Sequence, residues 1–553
     1  MWRISVLKLS ALILSVSALG MFAFSSVMVP SAPIRFRNVA AQWGLDFILE
    51  HHPTDRKHLV ETMAGGVAAF DYDNDGWTDI FFSNGASVPD LKKKGRQDWN
   101  RLFRNEGGLK FRDVTESSGL TGSGYSTAAA AADFDNDGHI DLFVGGVREN
   151  KLYRNEGNGR FRDVSTVAGI GCGRWCEGAA WLDYNNDGRL DLFVVNYLQW
   201  TSEFDVFCGD SIGKIRAYCH PRLFAGLPNT LYRNEGNGKF TDVSDSAGIG
   251  KHVGKGMSAA IADYDQDGFI DVFVTNDKLP NFLFHNKGDG TFEEVALEAG
   301  VALQDNGVAV SGMGMDFRDY SNDANSDIVF AALAGETFPI FLNLGKGLFS
   351  DAGQLSQLAL LTREKSGWSI GIYDFDNDGW KDLFTSNGHV NDTVEAFEAA
   401  KYKLTNSVFS NVRDGTFRDA SVGSGFDLEP PRSHRGSAFA DFNHDGKIDI
   451  VTVSLGEPVE LWENRTGAPH SWLLVKLLGR KSNRDGIGAV VRIGTQVNHM
   501  TTAVGYMSSS HSGVHFGLGT ARQAERIEIR WPSGTRQVLE HVTANRTVEV
   551  TEP

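Results

Sequence analysis

The residues best suited to chemistry are aspartates that recur in one nine-residue pattern. Asp stands at position 1, Asp or Asn at 3, Asp at 5, Gly at 6 and Asp at 9. The copies are DYDNDGWTD (Asp71, Asp73, Asp75, Asp79), DFDNDGHID (Asp133, Asp135, Asp137, Asp141) and DYNNDGRLD (Asp183, Asn185, Asp187, Asp191). They continue as DYDQDGFID (Asp263, Asp265, Asp267, Asp271), DFDNDGWKD (Asp374, Asp376, Asp378, Asp382) and DFNHDGKID (Asp441, Asn443, Asp445, Asp449). A worn copy, DYSNDANSD, starts at Asp319, with Ser321 at position 3 and Ala324 in place of Gly. Carboxylates at 1, 3 and 5 of a tight turn converge, and a carbonyl at 7 with the Asp at 9 can complete an oxygen cage. That is the chemistry of Ca²⁺, a hard cation taking six to eight oxygens. The Glu that closes an EF-hand loop at position 12 is missing, for Phe82 and Val144 stand there. The loop is therefore a calcium turn between strands. A plain Asp-Gly hairpin turn needs no metal, but six copies with Asp at both 1 and 9 favour calcium over that reading.

Charge points the same way. The chain has 553 residues, 53 Lys+Arg and 70 Asp+Glu, for a net charge of −17 and a pI near 5.4. Such a balance argues against a protein that covers nucleic-acid phosphates. The seven loops alone hold 25 carboxylates at positions 1, 3, 5 and 9. Like charges packed so closely are costly without cations, and six Ca²⁺ would take −17 to −5. Extracellular loops of this kind bind at about 0.1–1 mM, which makes the metal structural. The substitutions in the Asp319 copy leave its occupancy open.

The elements around the loops repeat as well. A small or apolar run such as GGVAAF or GMSAAIA precedes each loop, and a β-rich run such as IFFSN or LFVVN follows. Then come an Asn-centred hairpin (RNEGG at Arg104, RNEGNG at Arg154 and Arg233, HNKGDG at His285) and a Phe-led strand start (FRDV at Phe111 and Phe161). Short apolar runs bounded by Gly and Asn/Asp turns are strand signals, so each unit supplies four short strands. Intervals of 50 to 80 residues between loops indicate a repeat architecture. The last unit, at Trp462, lacks its Phe-led strand, while FRNVAAQWGL at Phe36 matches FRDVTESSGL at Phe111. The orphan strand can complete the open unit only if the chain closes in a ring, and closure removes the exposed edges. The expected fold is all-β: a seven-bladed β-propeller over 34–466, followed by a small β-rich domain over 470–553. The tail carries strand patterns in WLLVKLLG and RIEIRWP, has no Asp loop, and is long enough to stand as an independent domain.

The loops with their small-residue flanks resemble FG-GAP/VCBS repeats, the blades of integrin-α-like propellers. GIGAVVRI at Gly486, HFGLG at His515 and IEIRWPSG at Ile527 resemble the ASPIC/UnbV domain. ETMAGGVAAFDYDNDG at Glu61 and YCHPRLFAGLPNTLYRNEG at Tyr218 also look like this group. Repeat plus tail is similar to the cartilage acidic protein-like family, which implies adhesion or matrix-like interaction. The worn fifth loop, and Asn185 and Asn443 at position 3, depart from the repeat pattern.

Arg3 and Lys8 before an apolar run from Leu9 to Phe24 read as an export signal over 1–26, cleaved or retained as an anchor. No other stretch is long and apolar enough for a spanning helix, so the chain is expected outside the cytosol: secreted, periplasmic or at the cell surface. Four cysteines suit that compartment. Cys172–Cys176 with Cys208–Cys219 is the favoured pairing, because each closes a local loop, although other connectivities and a zinc site remain open.

The GWSIG at Gly367 matches a Gly-x-Ser-x-Gly nucleophile pattern but precedes an Asp loop, so Ser369 reads as a small packing residue. His51, His52 and His58 read as scattered surface histidines, and no paired acid and base stands out. The 80-residue interval, with Trp175, Tyr197, Trp200, Phe204 and Tyr218, is the best candidate for a binding face; the bland alternative is a stapled loop that covers a blade. The expected function is an exported calcium-binding propeller, monomeric, that binds an extracellular protein or glycan as an adhesion module. The alternative is an extracytoplasmic enzyme of polysaccharide or secondary metabolism.

Overall fold

The computed structural model describes residues 33–107, 110–171, 173–204 and 206–553. The expected signal and Cys172 lie outside these. Ala32–Pro553 is one compact unit of β-structure, and no helix among the described residues is long and apolar enough to cross a membrane.

Each Asp loop joins the first two strands of a four-stranded antiparallel sheet, to which the first sheet adds Ser509–Ser510 as a fifth, parallel strand. In the second sheet the strands are Ser126–Ala132, Asp141–Gly146, Lys151–Asn155 and Phe161–Asp163, in that order. Six such sheets follow the chain, opening with the strands Val67–Phe70, Ser126–Ala132, Cys176–Leu182, Gly256–Ala262, Met315–Arg318 and Gly367–Tyr373. The seventh has three consecutive strands, His434–Ala440, Asp449–Ser454 and Glu457–Asn464; its fourth is Phe36–Asn38. That strand runs antiparallel with Phe36 opposite Asn464 and Asn38 opposite Trp462. The chain's first strand thus completes its last sheet. The opening strand of each sheet packs on that of the next, and the seventh packs on the first. Small residues make this close approach possible: the inner strand of the second sheet is STAAAAA, buried throughout.

The tail forms two sheets. Ser471–Leu478 lies between Val514–Gly519 and Arg546–Thr551, and Val490–Ile493 lies between Gln496–His499 and Gln523–Arg530, with Arg536–Thr543 outermost. Its segment 503–511 runs among the inner strands and bonds to all seven sheets. Ser509 and Ser510 pair in parallel with Ala68 and Ala69, and Ala129 N donates to Met507 O (2.9 Å). Tyr506 OH donates to Glu177 Oε2 (3.1 Å) and Ser258 Oγ to Gly505 O (2.6 Å). Met315 and Gly505 exchange backbone bonds. Tyr506 N donates to Ser369 Oγ (3.1 Å), and Phe439 N donates to Ser510 Oγ (2.9 Å). The tail therefore shares one body with the repeats, because unpaired polar backbone at the middle of the cycle needs partners. Gly505 sits at φ +72, and a Cβ there would lie 2.1 Å from Ser369 Oγ, so only glycine lets this segment through.

Deleting residues 34–45 removes Phe36 and Trp43, both buried, and exposes the edge of the seventh sheet. The expected loss exceeds the roughly 3–5 kcal/mol of truncating one buried aromatic. A urea midpoint equal to the parent's would contradict it.

Candidate functional site

The seven loops share one local geometry. Position 4 is left-handed in every copy (Asn74, Asn136, Asn186, Gln266, Asn322, Asn377 and His444, φ 55 to 63), and so is position 6 (Gly76 at +93, Gly446 at +81). Ala324 adopts φ 75 in the worn copy, a conformation that costs an L-residue about 1 kcal/mol or more. The first aspartate draws the turn around itself: Asp133 Oδ1 accepts from Asp137 N (3.0 Å) and Oδ2 from Gly138 N (2.7 Å). The ninth ties the loop to the hairpin. Asp141 Oδ2 accepts from Phe134 N (3.1 Å), and Oδ1 from Asn155 N (2.7 Å).

Two belts of side-chain bonds then join one loop to the next. The hairpin asparagine donates to the position-2 carbonyl of the preceding loop: Asn155 to Tyr72 O, Asn234 to Phe134 O, Asn286 to Tyr184 O and Asn343 to Tyr264 O, at 2.7 to 2.9 Å. Asn411 reaches Tyr320 O, Asn464 reaches Phe375 O, and Asn105 reaches Phe442 O, from the first sheet back to the seventh. In the second belt the position-4 side chain donates forward to the residue at position 6, as Asn74 does to Gly138 O and Asn377 to Gly446 O.

Some of the expected carboxylates converge, in four of the six intact loops; among the described residues the loops at Asp183 and Asp441 gather no such trio. Asp71, Asp73 and Asp79 bring one oxygen each within 4.8 Å of the others, as do Asp133, Asp135 and Asp141, and Asp374, Asp376 and Asp382. The fourth loop gathers Asp263, Asp265 and Asp267, and also Asp265, Asp271 and His285. Asp73 Oδ1, Asp135 Oδ1 and Asp263 Oδ1 are buried with no hydrogen-bond partner. Unpaired buried anionic oxygens fit a hard cation. In the first, second and sixth loops position 5 lies outside the trio and pairs with a hairpin arginine: Asp75 with Arg104, Asp137 with Arg154 and Asp378 with Arg413. Arg104 also holds Asp73 at 2.6 Å. In the third and seventh loops, Asp187 pairs with Arg189 and Asp445 with Lys447. The worn loop has another cation, for buried Lys381 donates to Asp319 O at 2.7 Å.

Burial is the main cause of the carboxyl pKa shifts. It pushes Asp79, Asp141, Asp191, Asp327, Asp374, Asp382 and Asp449 well above the usual range. Asp133 rises to about 7 through burial and then the nearby Asp485; Asp183 rises to about 6 and Asp441 to about 7. Asp485 belongs to the tail, which lies over these loops. Asp133 N donates to Asp485 Oδ2 (2.8 Å), Arg530 pairs with Asp263, His470 meets Asp376 O (2.7 Å), and His515 meets Gly446 O (3.2 Å).

At the other end of the inner strands lies a second cluster, which sequence reasoning missed. Glu61, Tyr125, Glu177, Trp368, Arg435 and Tyr506 are all buried there. Each comes from a different repeat or from the tail, so no local pattern marks it. Two expectations need correction. His58 is buried, edge-on to Trp200 at 5.7 Å, and His51 is half-buried, its pKa lowered to about 4 by burial; His52 is half-buried, its ring 2.9 Å from Asp98. Trp175, Tyr197 and Trp200 are buried too, stacked edge-on in one cluster, so they form core under the long insert instead of a binding face. What the insert exposes is Val206, Phe207 and Ile212. Its Cys208–Cys219 disulfide is present, whereas the pairing expected for Cys176 involves Cys172, outside the described residues. Ser369 lies inside the strand Gly367–Tyr373, buried, in a packing position.

The FG-GAP-like repeat family matches residues 71–144, 133–194, 205–274, 263–330 and 319–385, and the ASPIC and UnbV family matches 479–553. The chain belongs to the FG-GAP-like repeat family and ends in an ASPIC and UnbV domain. It is 27% identical to human cartilage acidic protein 1 over 331 residues, 56% of this chain and 46% of that protein. Against the Xenopus tropicalis protein of the same name it is 28% identical over 317 residues, 54% of this chain and 45% of that one. The chain thus spans less than half the length of these relatives. A solved lectin from Agrocybe aegerita, described as recognising non-reducing terminal N-acetylglucosamine, is 18% identical with a TM-score of 0.36, covering 75% of this chain and 93% of that one.

Because Arg104 occupies Asp73 and Asp75, Arg104→Met should tighten calcium binding at the first loop by about tenfold, or about 1.4 kcal/mol. Calorimetric titration checks this; weaker binding would contradict it.

Proposed function

We propose that the chain is an exported interaction module, a closed seven-bladed β-propeller stabilised by calcium, that binds an extracellular protein or glycan. The cycle of seven sheets, with the first strand completing the last, supports the propeller reading. Calcium is carried by one observation: acidic trios with unpaired buried oxygens at the loops. Asp71, Asp73 and Asp79, with their counterparts, would hold the ion, and Asn185 and Asn443 would offer amide oxygens at position 3. The ion would be structural, offsetting buried charge and holding the tail against the loop rim. A disulfide on the long insert suits an oxidising compartment.

The tail covers the loop rim, so the free rim is the one with the insert. Its hairpin presents Ile212, 95% exposed, at the turn, and Phe207 is exposed just before its first strand. Aromatic and aliphatic anchors of this kind carry most interface energy. Array or pull-down binding should weaken at least tenfold in Phe207→Ser with Ile212→Ser; undiminished binding would sink this surface. Chelation should lower the melting temperature, because an ion binding only the folded state at 100 times its Kd adds about 2.7 kcal/mol. An unchanged melt would remove calcium from the account.

A second reading, a polysaccharide enzyme, is favoured by the buried Glu61, Glu177 and Arg435. Release of unsaturated sugars from a polysaccharide panel would support it.

A further inference from the structure

The four-stranded sheet of the tail has two unlike faces. Val491, Ile493 and Ile527 are buried on one of them. Residues directly opposite on paired strands share a face, so two rows cross the other: Val490, Arg530 and Arg536, and next to them Arg492, Glu528 and Val538. Across from these rows stand Asp263 and Gln266 of the fourth loop, and Ala324 and Ser326 of the worn copy. Between the two walls lies a cleft of about 510 Å³, within the roughly 300–1,000 Å³ of ligand sites. Arg492, Arg526 and Arg536 are exposed at it, so solvent reaches it.

The cleft is basic in an acidic chain. Four arginines and two carboxylates line it, whereas the whole chain carries −17. Glu528 and Glu540 hold Arg526, and Asp263 holds Arg530. The side chains of Arg492 and Arg536 make no ion pair or hydrogen bond among the described residues. Their Cα atoms, two strands and two residues apart, are about 12 Å from each other by strand spacing. The worn copy helps keep the sign, for it has Ser321 where an intact loop has Asp or Asn. Behind it, buried Lys381 donates to Asp319 O and to Val497 O, and no ion pair offsets its charge among the described residues.

The walls specify the ligand. Arginine's planar fork suits carboxylate and sulfate oxygens, two bonds at a time. Two unpaired forks set so far apart suit two anionic groups on one ligand better than a single small anion. Gln266, Ser326 and Gln537 offer amides and a hydroxyl to ring hydroxyls, and Val490 and Val538 give C–H faces apolar contact. Among the described residues no Phe, Tyr or Trp lines the cleft, so it lacks the platforms on which nucleic-acid bases stack. An acidic chain also repels a long nucleic acid.

We propose that this cleft, between the tail sheet and the fourth and fifth loops, binds an acidic oligosaccharide through sulfate or carboxylate groups on Arg492 and Arg536. The site rests on the carbohydrate half of the reading above and names the sugar class; the Phe207 and Ile212 surface is separate from it. The test titrates the full chain in calcium by calorimetry with per-sulfated maltotriose, with trigalacturonate and, as the uncharged control, with maltotriose. At least one charged trisaccharide should bind and maltotriose should not; the tighter of the two names the anionic group. Arg492→Gln with Arg536→Gln should weaken binding at least tenfold and, since both side chains are exposed and unpaired, should melt like the parent. Lys110→Gln with Lys239→Gln removes the same charge from exposed positions outside the cleft. That pair should bind like the parent, as should Phe207→Ser with Ile212→Ser. A tenfold loss in either control, or equal binding of oligothymidylate or maltotriose, overturns the site. So does binding that survives in the arginine pair, or no binding of either charged sugar at millimolar concentration. These results leave the insert surface to its own test.

Discussion

A carboxylate sealed from water must be compensated, and this fold seals one at the ninth position of every loop. Asp79, Asp141, Asp191, Asp271, Asp327 and Asp449 are entirely buried, and Asp382 nearly so. Each spends its oxygens on backbone N–H groups of its own loop and its own hairpin, as Asp79 does with Tyr72 and Asn105. The hairpin asparagine so fixed then reaches the preceding sheet. One anionic group thereby sets the loop, the strand pairing and the spacing to the neighbour. The same burial crowds it against the carboxylates at positions 1 and 3, which favours either a protonated carboxyl or positive charge nearby. Protein side chains supply some of it through Arg104, Arg154 and Arg413; a divalent ion is suited to the rest.

This constraint divides the molecule into two ends. At the loop end the tail lies over the carboxylates and contributes both signs, Arg530 to Asp263 and Asp485 beside Asp133. From there it sends Gly505 to Ser510 between the inner strands, so the middle of the cycle is filled by chain. At the opposite end, Tyr506 borders a polar cluster to which Glu177 and Arg435 are brought by separate strands and Glu61 by the short 3-10 helix Leu59–Thr62. The acidic loops and the docked tail thus share one end of the inner strands, and the polar cluster lies at the other.

The loops, the hairpins and the split last unit were legible because each is written locally and repeated. Phe36 pairing beside Asn464 follows from that repetition. The belts were only half legible: the asparagine of RNEG marks a turn in sequence, but its bond from Asn155 to Tyr72 O spans 83 positions. The left-handed position 4 was overlooked, since Asn, Gln and His all serve there and only Asn is a familiar turn residue. The segment around Tyr506 carries neither alternation nor a charge pattern, because its partners come from seven directions. The buried histidines and the aromatics of the insert misled for one reason: polar and aromatic types mark surface only on average, and here Trp175 and Trp200 fill space beneath a stapled loop.

Counting the ions tests the central claim most directly. Native mass spectrometry of the full chain in calcium should find six Ca²⁺, one for each intact loop and none for the copy at Asp319, where Lys381 already stands. A chain that carries no calcium under those conditions would contradict the account.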